Sequence, residues 1–257
     1  MSHFLIQNKG NVLSKEAFDL KEILDSKLVK ATKLHTYELV DDILLSKYDN
    51  IDRLVPVGTI DFVEKFLLKY ASIRGIKLNT SKEDFRIKPI EVPECLRKPE
   101  FLLRDYNIVS MSNLTNRYSF IKNASILKQF SCVGFREDYT DCLSDKCMYV
   151  QSSVIDILSE YRVLVFNDEV VAVQHYDGDP LVFPDSYKII KMVNTIKLSD
   201  NYPKAYTLDI AVTSKGTCVL EQHNFVACGT YGYCGSTLLN MYIAGINYEK
   251  EVLMCLI

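Results

Sequence analysis

Asp209 and Glu221 are the residues whose type and spacing point most directly to chemistry. They fall in two runs of alternating polarity, residues 205–212 and 217–224, joined by Ser214-Lys215-Gly216. A three-residue loop closing on glycine is a recognised hairpin connection. Pairing centred on Lys215 places the two carboxylates directly opposite one another, with Cβ atoms about 4.5 to 5.5 Å apart. Leu208, Ile210, Val212, Cys218 and Leu220 are then expected on the other, core-facing side. His223 shares the carboxylate face by the two-residue period, whereas Asn224 joins it only if the strand bulges. Like charges face to face are unfavourable, and a divalent cation would relieve them. Mg²⁺ is suited, because one or two carboxylates plus substrate phosphates usually hold it. A solvated polar face or a shared proton would also relieve the repulsion, and spacing alone does not choose.

The elements that must carry this hairpin are legible on either side of it. Asn167-Asp168 is a tight-turn pair between the apolar runs 161–166 and 170–175, which predicts a second hairpin. A helix is expected from about Asp185 to Ile196, with Ile189, Ile190, Val193 and Ile196 on one side. Further upstream, residues 118–122 and 147–152 read as strands. Residues 52–58 read as a strand running into a helix near Thr59 and Asp61. Val63, Phe66, Leu67, Tyr70 and Ala71 keep helical spacing there, and Gly75 supplies the stop. Pro89, Pro93 and Pro99 interrupt any helix and mark a boundary between lobes. The segment from Ser14 to Leu45 reads as a small α/β lobe of unassigned order.

Together the segments Glu221–Gly232, Ser159–Arg162, Phe120–Lys122 and Leu54–Gly58 resemble the ATP-grasp superfamily. The similarity is greatest to a phage-associated clade related to the ribosomal-protein glutamate ligases, and it spans roughly residues 50 to 235. The resemblance implies an α/β fold built of α+β lobes. Residues 1–92 would form an N-terminal lobe, 93–155 a central lobe, and 156–257 a C-terminal lobe carrying the metal hairpin. It implies ATP and Mg²⁺ as cofactors, with Asp209 and Glu221 on the metal. The family's Glu-x-Asn spacing is broken here, since His223 stands where the Asn is expected and Asn224 lies one residue later. Lys122 and Lys128 would contact the ATP phosphates, and Gln151 belongs to the hinge segment facing the adenine. Arg162 would meet a phosphate or acyl-phosphate, a role suited to its planar fork of donors; a salt bridge to Glu160 or Asp156 is the competing reading. The implied reaction joins a carboxylate to an amine of an amino acid, peptide or protein. A nucleotide-binding relative without turnover is the alternative, and His223 keeps it open.

The composition bounds the rest. The chain has 257 residues, 48% hydrophobic and 25% charged, enough to bury a sizeable core and inconsistent with wholesale disorder. Its net charge of −3 provides no general attraction to nucleic acid or anionic membrane. Phe4-Leu-Ile6 is too short for a leader's apolar region, so a cytoplasmic protein is expected. The eight cysteines lack the paired spacing of a zinc site and read as free thiols. Cys228 is read as part of a close-packed glycine- and aromatic-rich loop rather than as a nucleophile.

Overall fold

The computed structural model describes residues 2–10, 12–27, 29–40, 45, 48, 50–78, 85–87 and 91–255. Phe4-Leu-Ile6 is the buried middle of a central strand, β1 (His3–Lys9). That strand pairs in parallel with β3 (Ala31–His35) and β4 (Leu54–Val57), and its last two residues pair antiparallel with β2 (Val12–Leu13). A strand buried on both faces has no polar alternation, which is why this one reads as a plain apolar run. Helix α1 (Lys15–Ser26) is capped by Ser14, whose Oγ accepts from the Ala17 amide at 3.2 Å. Helix α2 (Ile60–Arg74) begins after Thr59 and buries Val63, Phe66, Leu67, Tyr70 and Ala71, as their spacing predicts. It ends at Gly75 with φ 67°, a left-handed position that glycine adopts without steric cost.

A second sheet follows the proline-rich stretch, of which residues 88–90, including Pro89, lie outside the described residues. Its strands are β5 (Asn107–Ser110), β6 (Ser119–Asn123), β7 (Ser131–Gly134) and β8 (Met148–Ser152), antiparallel in the order β5-β8-β6-β7. The third sheet contains β9 (Ile157–Phe166), β10 (Glu169–Gly178), β11 (Ala205–Thr213) and β12 (Gly216–Asn224), ordered β10-β9-β11-β12. Asn167 and Asp168 make the turn between β9 and β10 with φ 48° and 68°, a left-handed pair matching the right-handed twist of the strands. Helix α3 (Ser186–Lys197) starts at its cap Asp185 and packs Ile189, Met192, Val193 and Ile196 on Val163, Val165, Leu208, Ile210 and Val219.

The hairpin β11–β12 departs from expectation at its tip. Thr213 pairs with Gly216, so two residues, Ser214 and Lys215, make the connection rather than three. Ile210 pairs with Val219, yet Asp209 pairs with Glu221, so Leu220 is an extra bulged residue. The bulge restores the carboxylate register and inverts the alternation between it and the turn. Val219 therefore faces the α3 core beside Ile210 and Val212. Cys218 instead pairs with Ala211 on the Asp209 face, and Leu220 is half-buried at the edge of a cavity.

The C-terminal helix α4 (Leu238–Cys255) has no counterpart in the sequence reading. It packs against β4, β11, α1 and α2, burying Leu238, Met241, Tyr242, Ile246 and Leu253 in the core of the first sheet. A helix in contact on several sides has no single apolar stripe for periodicity to detect. The seven cysteines with described side chains are free thiols, and no described helix is long and apolar enough to cross a membrane.

Candidate active site

The third sheet sets a row of functional side chains across its strands. Arg162 on β9 lies opposite Asp209 on β11, which lies opposite Glu221 on β12. Two residues beyond Glu221, His223 returns to the same face, and its Nε2 lies 2.5 Å from Glu221 Oε1. One potential ligand atom from each of Asp209, Glu221 and His223 lies within 4.8 Å of the other two. Asn224 is directed to the opposite face because the strand has no bulge between 221 and 224. Its Nδ2 donates to Glu249 Oε1 at 2.7 Å, beside a separate cavity of about 700 Å³ that is remote from the carboxylates.

Cations of the chain itself already meet the like charges. Arg162 donates from Nε and Nη2 to Asp209 Oδ1 and Oδ2 at 2.7 and 2.6 Å. Its Nη1 donates to the Gly229 carbonyl at 3.0 Å, and its plane lies over the Tyr231 ring at 4.9 Å. Arg162 and Asp209 are only 7% and 4% exposed, so their pairing is a condition of their burial. Burial works against the guanidinium charge, but the Asp209 hydrogen bonds and charge outweigh it and hold Arg162 above its ordinary range. The competing partners Glu160 and Asp156 are not used; Glu160 accepts instead from the Tyr176 hydroxyl at 2.5 Å. Glu221 is bonded by the Lys122 ammonium. Burial pushes its carboxyl up, but His223 and Lys122 outweigh that and hold it well below the usual carboxylate range. Repulsion between Asp209 and Glu221 therefore does not by itself require a metal.

Lys122, Lys128, Arg162, Glu221, His223 and Cys228 line one cavity of about 570 Å³. Lys128, at φ 58°, donates to the Ala227 carbonyl at 2.8 Å and so ties the loop after β6 to the segment after β12. A smaller cavity of about 230 Å³ shares Lys122 and Glu221 with the first and continues between the second and third sheets past Val150 and Ile157. Gln151 does not reach either cavity. Its side chain accepts from Thr115 N at 3.0 Å and donates to Thr115 O and Ser119 Oγ at 2.8 and 2.9 Å, all within the second sheet's layer. The Cys228 thiol is fully enclosed, and burial pushes it up to about 11 against the pull of Arg162 and Lys128. It is a neutral thiol and not a prepared nucleophile.

Two further groups escaped the sequence reading. Arg104 lies in the smaller cavity with Nη2 donating to Leu220 O at 3.2 Å, while its buried Nε has no hydrogen-bond partner. An arginine following Leu102-Leu103 is the signal that marks it, since apolar neighbours leave a guanidinium short of acceptors. Tyr176 and Tyr231 stack at 4.9 Å and cover Arg162. Tyr176 enters at a bulge in β10 that alternation does not reveal.

A sequence profile of the ATP-grasp domain, that of clade family 2, matches residues 101–241, more than half of the chain. No curated protein matches it. Among solved structures, D-alanine–D-alanine ligase from Bacillus anthracis in complex with ATP superposes with a TM-score of 0.56 at 11% identity, covering 97% of this chain and 98% of that one. D-cycloserine synthetase DcsG gives 0.52 at 11% identity, over 98% and 100% of the two chains. ATP-grasp ligase PsnB in complex with a minimal precursor gives 0.53 at 13% identity, over 95% and 99%. Identities this low establish likeness of fold, and it extends over nearly the full length of each partner. The profile match takes in all of the second and third sheets, the carboxylate hairpin included, and on that match the chain belongs to the ATP-grasp domain, clade family 2.

Proposed function

We propose that this chain is an ATP- and Mg²⁺-dependent ligase that joins a carboxylate to the amine of an amino acid, peptide or protein through an acyl-phosphate. The observation that carries the reading is the convergence of Asp209, Glu221 and His223 with Lys122, Lys128 and Arg162 on adjoining cavities between two antiparallel sheets. The donor set suits the metal: two carboxylates offer the hard oxygens that Mg²⁺ prefers, and His223 orients and ionises Glu221. Bound there, Mg²⁺ would neutralise ATP phosphates and align the terminal phosphoryl group.

The chain's own residues do the remaining work. Lys122 and Lys128 place ammonium groups against the polyphosphate, and Arg104 adds a guanidinium that lacks an acceptor for its Nε. The base would lie in the smaller cavity past Val150 and Ile157. Arg162 steadies the acyl-phosphate with the donors that Asp209 does not use, while Tyr231 and Tyr176 hold its plane. A carboxylate oxygen attacks the terminal phosphorus as ADP leaves; the amine nitrogen then attacks the acyl carbon, phosphate leaves, and the amine proton passes to solvent. The products are ADP and inorganic phosphate. Chromatography of nucleotides from mixtures of ATP, Mg²⁺, amino acids and peptides tests this: AMP and pyrophosphate would overturn it. The pairing of both carboxylates with Arg162 and Lys122 favours a second reading, nucleotide binding without turnover, which predicts ATP-induced stabilisation and no ADP from any mixture.

A further inference from the structure

The 570 Å³ cavity is lined almost entirely by the second and third sheets and the loops that follow their strands. One lining residue comes from the layer of the first sheet: Glu16, in the opening turn of α1. The Ser14 cap fixes that turn, so the carboxylate is held where the cavity opens. The other charged side chains there have partners. Lys122 and His223 bond Glu221, Arg162 bonds Asp209, and Lys128 donates to a carbonyl. Among the described residues Glu16 has neither a side-chain hydrogen bond nor an ion pair. It also lies outside the group of ligand atoms formed by Asp209, Glu221 and His223. Its near neighbour Cys228 keeps its proton, so Glu16 is the anion of this cavity that no cation of the chain offsets.

We propose that Glu16 is a specificity-determining residue that binds a primary ammonium group of the substrate; the inference rests on the ligase reading above. A half-buried carboxylate without a partner, facing a cavity whose cations are committed to phosphate, recognises a small cation with several donors, and an ammonium presents three. The group belongs either to a free amino acid, or to a peptide's N-terminus, or to a lysine side chain. A carboxylate in the first turn of a helix is also favoured by the helix dipole, and that role alone would leave substrate choice untouched.

The test compares the wild-type chain with Glu16→Gln in the presence of Mg²⁺ and adenylyl imidodiphosphate. Probes are titrated by thermal shift: the free L- and D-amino acids, their N-acetyl derivatives, a peptide with a free N-terminus, and Nα-acetyl-lysine. The expected result is that a free-ammonium probe stabilises the wild type and its acetylated form does not. Glu16→Gln should raise that probe's half-saturation about 10- to 100-fold while leaving the nucleotide's half-saturation unchanged. The probe that responds identifies the source of the ammonium. The proposal is overturned if no ammonium-bearing probe stabilises the wild type, if acetylated probes bind equally well, or if Glu16→Gln lowers the melting temperature with half-saturation unaltered. ADP release with ATP is scored separately. Glu16-dependent ammonium binding without ADP would leave this inference standing and overturn the ligase reading.

Discussion

Replacing Asp209 by Ala would strand the Arg162 guanidinium at 7% exposure with one carbonyl and two aromatic faces for company. Breaking a buried pair from one side costs about 3 to 5 kcal/mol, far more than the relief of repulsion from Glu221 returns. Asp209→Ala should therefore lose both stability and Mg²⁺-dependent ADP formation. Asp209→Asn, which keeps an acceptor for Arg162, should recover much of the stability and none of the turnover. Glu221 faces the cavity, and its partner Lys122 retains contact with water. Glu221→Ala should then leave the apo melting temperature nearly unchanged while lowering turnover by about 100-fold or more. Thermal melts with and without Mg·ATP, set beside ADP release, check both; full nucleotide response in Glu221→Ala would remove it from the metal site. Arg162→Lys should fail to restore what Arg162→Ala loses, because one ammonium cannot bond both Asp209 oxygens and Gly229 in a plane.

At the scale of elements, Gly245 makes a discriminating case. It lies inside α4, where alanine would favour the helix by about 1 kcal/mol. A Cβ at this position would lie 2.1 Å from the Phe225 carbonyl oxygen, a backbone atom that cannot rotate away. Helix α4 would have to lift from the segment following β12, loosening Phe225 and Tyr242, whose rings meet at 4.9 Å. Overpacking of this kind costs about 1 to 3 kcal/mol or more, so the clash outweighs the propensity. Gly245→Ala should be destabilised by about 1 to 2 kcal/mol in urea unfolding; a stabilised variant would show that the close approach is not maintained.

Across the whole molecule, Lys250 links the C-terminal helix to the first sheet. Its Nζ donates to the carbonyls of Asp52 and Leu54 at 2.8 and 2.9 Å under the rings of Phe66 and Tyr70. Burial brings its pKa down to about 8, with Asp52 pulling the other way. The unfolded chain therefore binds more protons than the folded one between about pH 8 and 10.5, and stability from this group rises with pH across that window. Below pH 8 both states are protonated and the cost of burying the charge is fully present. Compared with Lys250→Met, the wild type should gain up to about 3 kcal/mol between pH 8 and 10.5 in paired denaturant titrations. Parallel curves for the two proteins would show that the ammonium is not desolvated as its surroundings imply.

The sequence by itself determined those features that rest on local chemistry. The Asn167-Asp168 turn, the stop at Gly75 and the helix behind Asp185 each depend on backbone preferences of a few adjacent residues. So did the opposition of Asp209 and Glu221, because a hairpin's pairing is nearly a local property. Even there the structure reached the expected register by another route, a two-residue turn plus a bulge at Leu220, since one-residue shifts leave no trace in residue types. Only the tertiary structure decided what surrounds the carboxylates. Arg162 is 47 positions from Asp209 and Lys122 is 99 from Glu221, and no periodicity spans such distances. The same holds for Asn224 turning to Glu249, for the many-sided burial of α4, and for Glu16 reaching a cavity built by the other two sheets. Each follows from how sheets and helices pack on one another, where nonlocal burial and pairing outweigh the preferences that a short stretch of sequence records.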